Sequence, residues 1–254
     1  WSSDVCSSDL NCAIFFDSTS FYIKEKLLEE GIPFVLKDKQ VYLPFIGYLL
    51  SNENERKISP VHLISFLTQK VILVAIYEKW ENVTASKAAI RLGVTKMSAN
   101  RCFDEIEYLN VDILGMKGKS RVITVPADIQ KLWNDVRVIL RNPVIARYEL
   151  KEDIQLGKKA GITALCEYSL LSDNEYPTYA ITKKEITESG IRKMKQVHSG
   201  EEIGCVVLEL GYFIDFKNKK LEDPLSVTLS LTESEKQDER IGISIKRMLE
   251  EYVW

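Results

Sequence analysis

The chain has 254 residues, 45% of them hydrophobic, enough for two or three compact domains. Its formal net charge of −3 gives no ground for a bulk polyanion coat or a membrane-surface protein, so affinity for a polyanion must come from a local patch. Five scattered cysteines (Cys6, Cys12, Cys102, Cys166, Cys205) with no C-x-x-C pair exclude a disulfide framework or zinc site and read as reduced thiols of a cytoplasmic protein.

Residues 1–10 lack the basic start and apolar run of a secretory signal. With Ser-Ser-Asp occurring twice and no periodicity, they resemble translated adaptor or vector read-through and are set aside as a non-native leader. Cys12–Phe16 has the pattern of a buried strand, Ser20 caps a helix from Phe21 to Glu30, and Gly31 ends it. Pro33–Leu36 and Val41–Pro44 read as further strands. Strand, helix, strand predicts a right-handed crossover with parallel pairing. So few strands do not stand alone. Residues 11–50 therefore read as a truncated α/β lobe, the tail of a larger domain, or else as a small α+β annex packed on the winged helix. Asp17-Ser-Thr-Ser20 lies where α/β sheets bind ligands, but without a glycine-rich loop a capping turn is the better account.

Polar residues 51–58 read as a linker. Ser59-Pro60 supplies an N-cap and first-turn proline for a helix to about Trp80, with Leu63, Phe66, Leu67, Val71 and Val74 on an apolar face. Thr68, Gln69 and Lys70 interrupt that apolar stretch, which is short for a bilayer and argues against a membrane partner. Its apolar face serves equally as core or as the seam of a homodimer.

Thr84–Val125 is the most informative stretch. Thr84–Leu92 predicts a short helix with Ala88, Ala89 and Leu92 inward, and Gly93 suits the φ > 0 position of a tight inter-helix turn. Thr95 can cap a second helix, Lys96–Leu109, with Ala99, Cys102 and Ile106 toward the core. Lys96, Met97, Ser98, Asn100 and Arg101 are left outside near its N-terminus, the end that a recognition helix places in the major groove. Asn and Arg make bidentate pairs with adenine and guanine edges. Val111–Leu114 and Arg121–Val125 predict two strands around a Gly115–Ser120 loop, with Lys117, Lys119 and Arg121 as a basic wing for the phosphate backbone. The segment holds seven Lys/Arg against four Asp/Glu, a net of +3. The pattern predicts a winged helix-turn-helix with DNA-binding residues Thr95, Lys96, Ser98, Asn100, Arg101, Lys117, Lys119 and Arg121. The competing account is a helical hairpin with a solvated basic loop.

Pro126 opens a helix with Ile129, Leu132, Trp133, Val136 and Leu140 on one stripe, stopped at Arg141-Asn-Pro143. Residues 59–142 thus read as the winged-helix domain with its flanking helices, and 143–254 as an α+β domain. The latter offers strands at Val144–Leu150, Thr178–Thr182, Gly204–Leu210 and Leu225–Leu231, and helices at Ala160–Leu171 and Asp238–Tyr252. From Tyr148 onward, fifteen Lys/Arg face twenty Asp/Glu, which points to a protein partner rather than a polyanion. The fold class expected is α+β multidomain: a partial α/β N-terminal lobe, a central winged helix-turn-helix and a C-terminal α+β domain.

Enzyme readings are weaker. His62, read inside the apolar helix, and His198, in a turn, have no second metal ligand three or four residues away and no adjacent nucleophile. Asp215-Phe-Lys217 with Glu209 has the acid-x-lysine spacing of a metal-dependent nuclease, but a charged hairpin explains it better. No catalytic residue, metal or cofactor is expected.

The order of parts resembles bacterial winged-helix regulators of the MarR-like type, similar to the antitoxins of AbiE-type abortive-infection systems. The resemblance rests on Gly31-Ile-Pro-Phe-Val35, Gln40-Val-Tyr-Leu-Pro-Phe-Ile-Gly47 and Gly93-Val-Thr-Lys-Met-Ser98. In the last domain it rests on Gly161-Ile-Thr-Ala-Leu165, Tyr168-Ser-Leu-Leu171, Tyr176-Pro-Thr-Tyr-Ala180 and Asp223-Pro-Leu-Ser226. In that family an N-terminal winged helix represses its own operon and a C-terminal domain opposes a nucleotidyltransferase-like toxin; here an extra lobe precedes the winged helix. The resemblance implies a transcription regulator that binds double-stranded DNA, with a nucleotidyltransferase-like toxin as partner where antitoxin activity is kept. The alternative is a toxin-neutralising interaction module with little specific DNA binding.

Overall fold

The computed structural model describes residues 11–37, 40–46, 48–51, 63–172, 175–194, 196–197, 201–217 and 220–254. Cys6, the linker after Ser51, the Ser59-Pro60 cap, His62 and His198 lie outside them. The fold is mixed, with helices and three small sheets. It clusters into two compact units, one of residues 1–62 with 104–111, the other of residues 63–103 with 112–254.

In the first unit, β1 (Ile14–Phe16), α1 (Phe21–Glu29), β2 (Phe34–Leu36), β3 (Gln40–Leu43) and β4 (Tyr48–Ser51) follow in order. The sheet runs β1-β2-β3-β4, with β1 and β2 parallel and the other pairs antiparallel. Parallel pairing across α1 is what the strand–helix–strand pattern predicts. Ser20 Oγ accepts the Ile23 N–H and Gly31 sits at φ +66°, so cap and stop act as expected. Leu27, Phe34 and Leu36 form the core. The strand β4 begins inside the predicted lobe but ends on Ser51, the first residue assigned to the linker.

The second unit is organised by α2 (Phe66–Glu78). Ser65, rather than Ser59, caps it, and Leu63, predicted on its apolar face, is exposed ahead of it. Thr68, Gln69 and every residue from Val71 to Ile76 are buried, so the helix is covered nearly all round and the face considered as a dimer seam is taken up within the chain. β5 (Val83–Thr84), α3 (Ala85–Leu92), the first eight residues of α4 (Lys96–Tyr108, whose later residues cluster with the first unit), β6 (Leu114–Lys117), β7 (Ser120–Ile123) and α5 (Ile129–Val136) come next. A sheet of order β8-β11-β10-β9 then forms from β8 (Val144–Leu150), β9 (Lys158–Lys159), β10 (Thr178–Ile181) and β11 (Cys205–Leu210). Helices α6 (Gly161–Tyr168), α7 (Lys183–Ser189), α8 (Pro224–Ser230), α9 (Glu233–Lys236) and α10 (Glu239–Tyr252) complete it. The pair β10–β11 is parallel; β8 and β9 flank it antiparallel.

Several boundaries move. The predicted strand Leu225–Leu231 is the helix α8, because Asp223 Oδ1 accepts the Ser226 N–H as an N-cap and Pro224 fits the first turn. Its Leu-Ser-Val alternation misled because residues on nearly all sides are buried. The predicted helix from Pro126 to Leu140 shortens to α5, capped by Asp128, and the one predicted over Ala160–Leu171 ends at Tyr168.

A buried polar network ties α2 to α8 and to the 211–223 segment. Tyr77 Oη donates to Asp223 Oδ1 at 2.7 Å and accepts the Leu225 N–H at 2.8 Å. Gln69 Nε2 donates to Arg141 O at 2.8 Å and to Tyr212 Oη at 2.9 Å, while its Oε1 accepts the Arg141 N–H. Ser226 Oγ donates to Tyr212 Oη. Gly211 admits the Phe66 ring, which a Cβ at that position would strike, and Arg141 stacks 3.8 Å above the same ring. Beside Asp223, the buried Glu222 accepts the Gly161 N–H and the Ser230 hydroxyl on Oε2, while its Oε1 has no hydrogen-bond partner among the described residues.

Burial pushes the Glu222 carboxyl from 4.5 up to about 8, reinforced by neighbouring Asp223 and opposed by the Gly161 N–H, Ser230 and Lys158. The folded state therefore holds a proton that the unfolded chain releases, so stability contributed here is complete below pH 4.5 and is lost as pH rises toward 8. Urea melts across that window should show stability falling, with Glu222's share on the order of a few kcal/mol. Glu222→Gln should flatten the slope; an unchanged slope would mean that other groups carry it.

Candidate nucleic-acid interface

Residues 83–103 and 112–125 of the second unit build one surface from local rules. Thr84 Oγ1 accepts the Lys87 N–H and caps α3, while its backbone pairs with Val122 in a short third strand that the sequence did not signal. Gly93 takes φ +65° and its N–H, with that of Val94, closes on the last turn of α3. Thr95 Oγ1 accepts the Ser98 N–H at 3.1 Å and starts α4. Ala88 and Ala89 are buried on α3; Ala99, Cys102, Phe103 and Ile106 are buried on α4.

The hairpin β6–β7 is shifted toward its tip and tighter than predicted: of the expected strand Val111–Leu114 only Leu114 lies in β6, and β7 ends at Ile123 rather than Val125. The strands reach inward to Lys117 and Ser120, which pair, so the expected six-residue loop is a two-residue turn of Gly118 and Lys119, with Gly118 at φ +61°. Gly115-Met-Lys-Gly-Lys119, with one apolar residue among two glycines and two lysines, carries no apolar period, which hid the strand. Arg121 is half-buried, its guanidinium 5.9 Å from the Phe103 ring centre, and this contact sets the hairpin beside α4.

The predicted residues fall into two groups. Lys96, Arg101, Lys117 and Lys119 are exposed, and no ion pair engages them among the described residues. Thr95, Ser98 and Asn100 are engaged locally: the two hydroxyls lie 2.9 Å apart, and Asn100 Nδ2 donates to Lys96 O at 3.0 Å. Arg121 belongs with this second group through its packing on Phe103. The sequence did not single out Ile90 or Met116, which with Met97 are exposed at 83%, 61% and 67%, respectively. Ile90 breaks the helical face on which its neighbours Ala88 and Ala89 are buried, and that break is the signal in the sequence.

The nuclease triplet is not assembled. Glu209 is buried and accepts from Tyr148 Oη and Arg192, each at 3.2 Å. Asp215 pairs with Lys158 at 3.5 Å, and Lys217 Nζ lies over the Phe216 ring. Among the described residues no cluster of three His, Cys, Asp or Glu could hold a metal, and no helix is long and apolar enough to cross a membrane. No family model, curated protein or solved structure matches the chain.

Gly93 and Thr95 set the angle between α3 and α4 by different means, which substitution separates. At Gly93 a Cβ meets no atom within 4 Å, so Gly93→Ala should cost only the left-handed backbone strain, about 1 kcal/mol in a urea melt. Thr95→Ala should cost about 1 kcal/mol through the lost cap. A cost near zero in both would show that this turn does not hold the helices.

Proposed function

We propose that residues 83–125 are a winged helix that binds duplex DNA and that the chain is a transcription regulator. The observation that carries this reading is the set of four exposed cations without ion pairs among the described residues, Lys96 and Arg101 on α4 and Lys117 and Lys119 on the adjoining hairpin, in a chain of net charge −3. Elsewhere, many surface cations are answered within the chain, as Lys151 is by Glu201 and Lys159 by Glu167. A cluster left uncompensated attracts a polyanion and releases counterions when it binds. The first turns of α4 enter the major groove, where Arg101 reads a guanine edge; Lys96 and the hairpin lysines hold phosphates. Asn100 and Ser98 reach bases only after leaving their intrahelical bonds.

A second reading has one observation of its own. Ile90, Met97 and Met116 expose apolar surface in the same 83–125 segment, which suits a protein partner such as the nucleotidyltransferase-like toxin that the resemblance implies.

Fluorescence anisotropy with duplex DNA over a salt series separates the two. Arg101→Ala should cost about 1–3 kcal/mol on the preferred sequence and relax preference. Lys119→Ala should weaken all sequences alike and lower the salt slope by about 1. If both variants bind as the parent does at every salt concentration, α4 and the hairpin are not the DNA face.

A further inference from the structure

A groove of about 730 Å³ lies between α5 and the helices α8 and α10, within the second unit. Its volume is that of a small-molecule site, roughly 300–1,000 Å³. Val138, Ile245 and Trp254 present apolar surface to it, and its charged lining is Arg137, Lys236, Lys246 and Glu250.

Two observations bear on what this space could take. The first is Gly242, inside the regular turns of α10 and lining the groove. Glycine weakens a helix interior relative to alanine and is usually retained for a positive φ or a tight contact. Gly242 has neither: its φ is not positive, and a Cβ there would meet nothing within 4 Å. The second is charge. Lys246 faces Glu250 only across one turn of α10 at 3.8 Å, with both ends exposed, whereas Arg137 has no ion pair among the described residues. An apolar trough with one partly exposed indole, Trp254, and a guanidinium without an ion pair among the described residues fits a ligand with a flat apolar body and one acidic group.

We propose that this groove binds a small amphipathic organic anion, its body against Ile245 and Trp254 and its acidic group on Arg137. Neither the site nor its test depends on DNA binding.

The probe is 1-anilinonaphthalene-8-sulfonate, which carries a flat apolar body and a single sulfonate, titrated into the full chain with tryptophan excitation. Saturable binding at one site with energy transfer from tryptophan is expected. Gly242→Phe should abolish it while holding or raising the melting temperature, because the new side chain fills the trough and removes a helix glycine. Arg137→Glu should weaken binding by about tenfold, as one charge-assisted contact is lost. Ile243→Ser, altering an exposed apolar residue of α10 that does not line this groove, should leave binding unchanged. Absence of saturable binding, or binding that survives both Gly242→Phe and Arg137→Glu in folded protein, would overturn the proposal.

Discussion

The larger unit depends on the bonds that Tyr77 makes at one end of α2. Its hydroxyl donates to Asp223 and accepts from Leu225, so one side chain satisfies a buried carboxylate and a free N–H at the start of α8. Leaving either unpaired would cost about 1–3 kcal/mol, and more for the carboxylate. Gln69 repeats the arrangement two turns earlier, closing both hydrogen bonds on Arg141 and a third on Tyr212. Apolar contact alone would let a helix as evenly greasy as α2 rotate or slide. These directional bonds fix its register.

That register matters for the surface proposed to meet DNA. Trp80, two residues beyond α2, accepts the Val125 N–H on its carbonyl, and Thr124 Oγ1 accepts the Asn82 N–H, so the end of the hairpin is tied to the chain leaving α2. β5 continues this into the sheet with β7, and Arg121 sets the hairpin against Phe103 of α4. The exposed lysines therefore sit on a frame anchored in the interior. In the proposed role, a rigid frame presents the cations without an ordering cost at binding.

The features legible in the sequence were those decided within a few residues. The caps at Ser20 and Thr95, the stops at Gly31 and Gly93, and the strand Val144–Leu150 depend on local backbone chemistry that one residue announces, whereas Thr84 and Asp238, read as the first residues of their helices, are their caps. The helix α8 was missed because burial on every side erases periodicity, leaving only the Asp223-Pro224 cap to indicate it. The start of α2 was misplaced toward the more obvious Ser-Pro signal, when Ser65 with its Thr68 bond was the operative cap. The network of Gln69, Tyr77, Tyr212 and Asp223 joins residues up to 146 positions apart, a separation that no local pattern encodes. At the candidate interface, which cations stay unpaired was likewise invisible, since it depends on where the acidic side chains of other elements fall.

The central claim is that the first turns of α4 and the adjoining hairpin tip together meet duplex DNA. The most direct test is amide hydrogen exchange of the full chain with and without a short random-sequence duplex at low ionic strength. The account predicts slower exchange confined to residues 95–101 and 116–121. Binding of the duplex with no protection in those two segments, or with protection concentrated in the acidic C-terminal sheet, would contradict it.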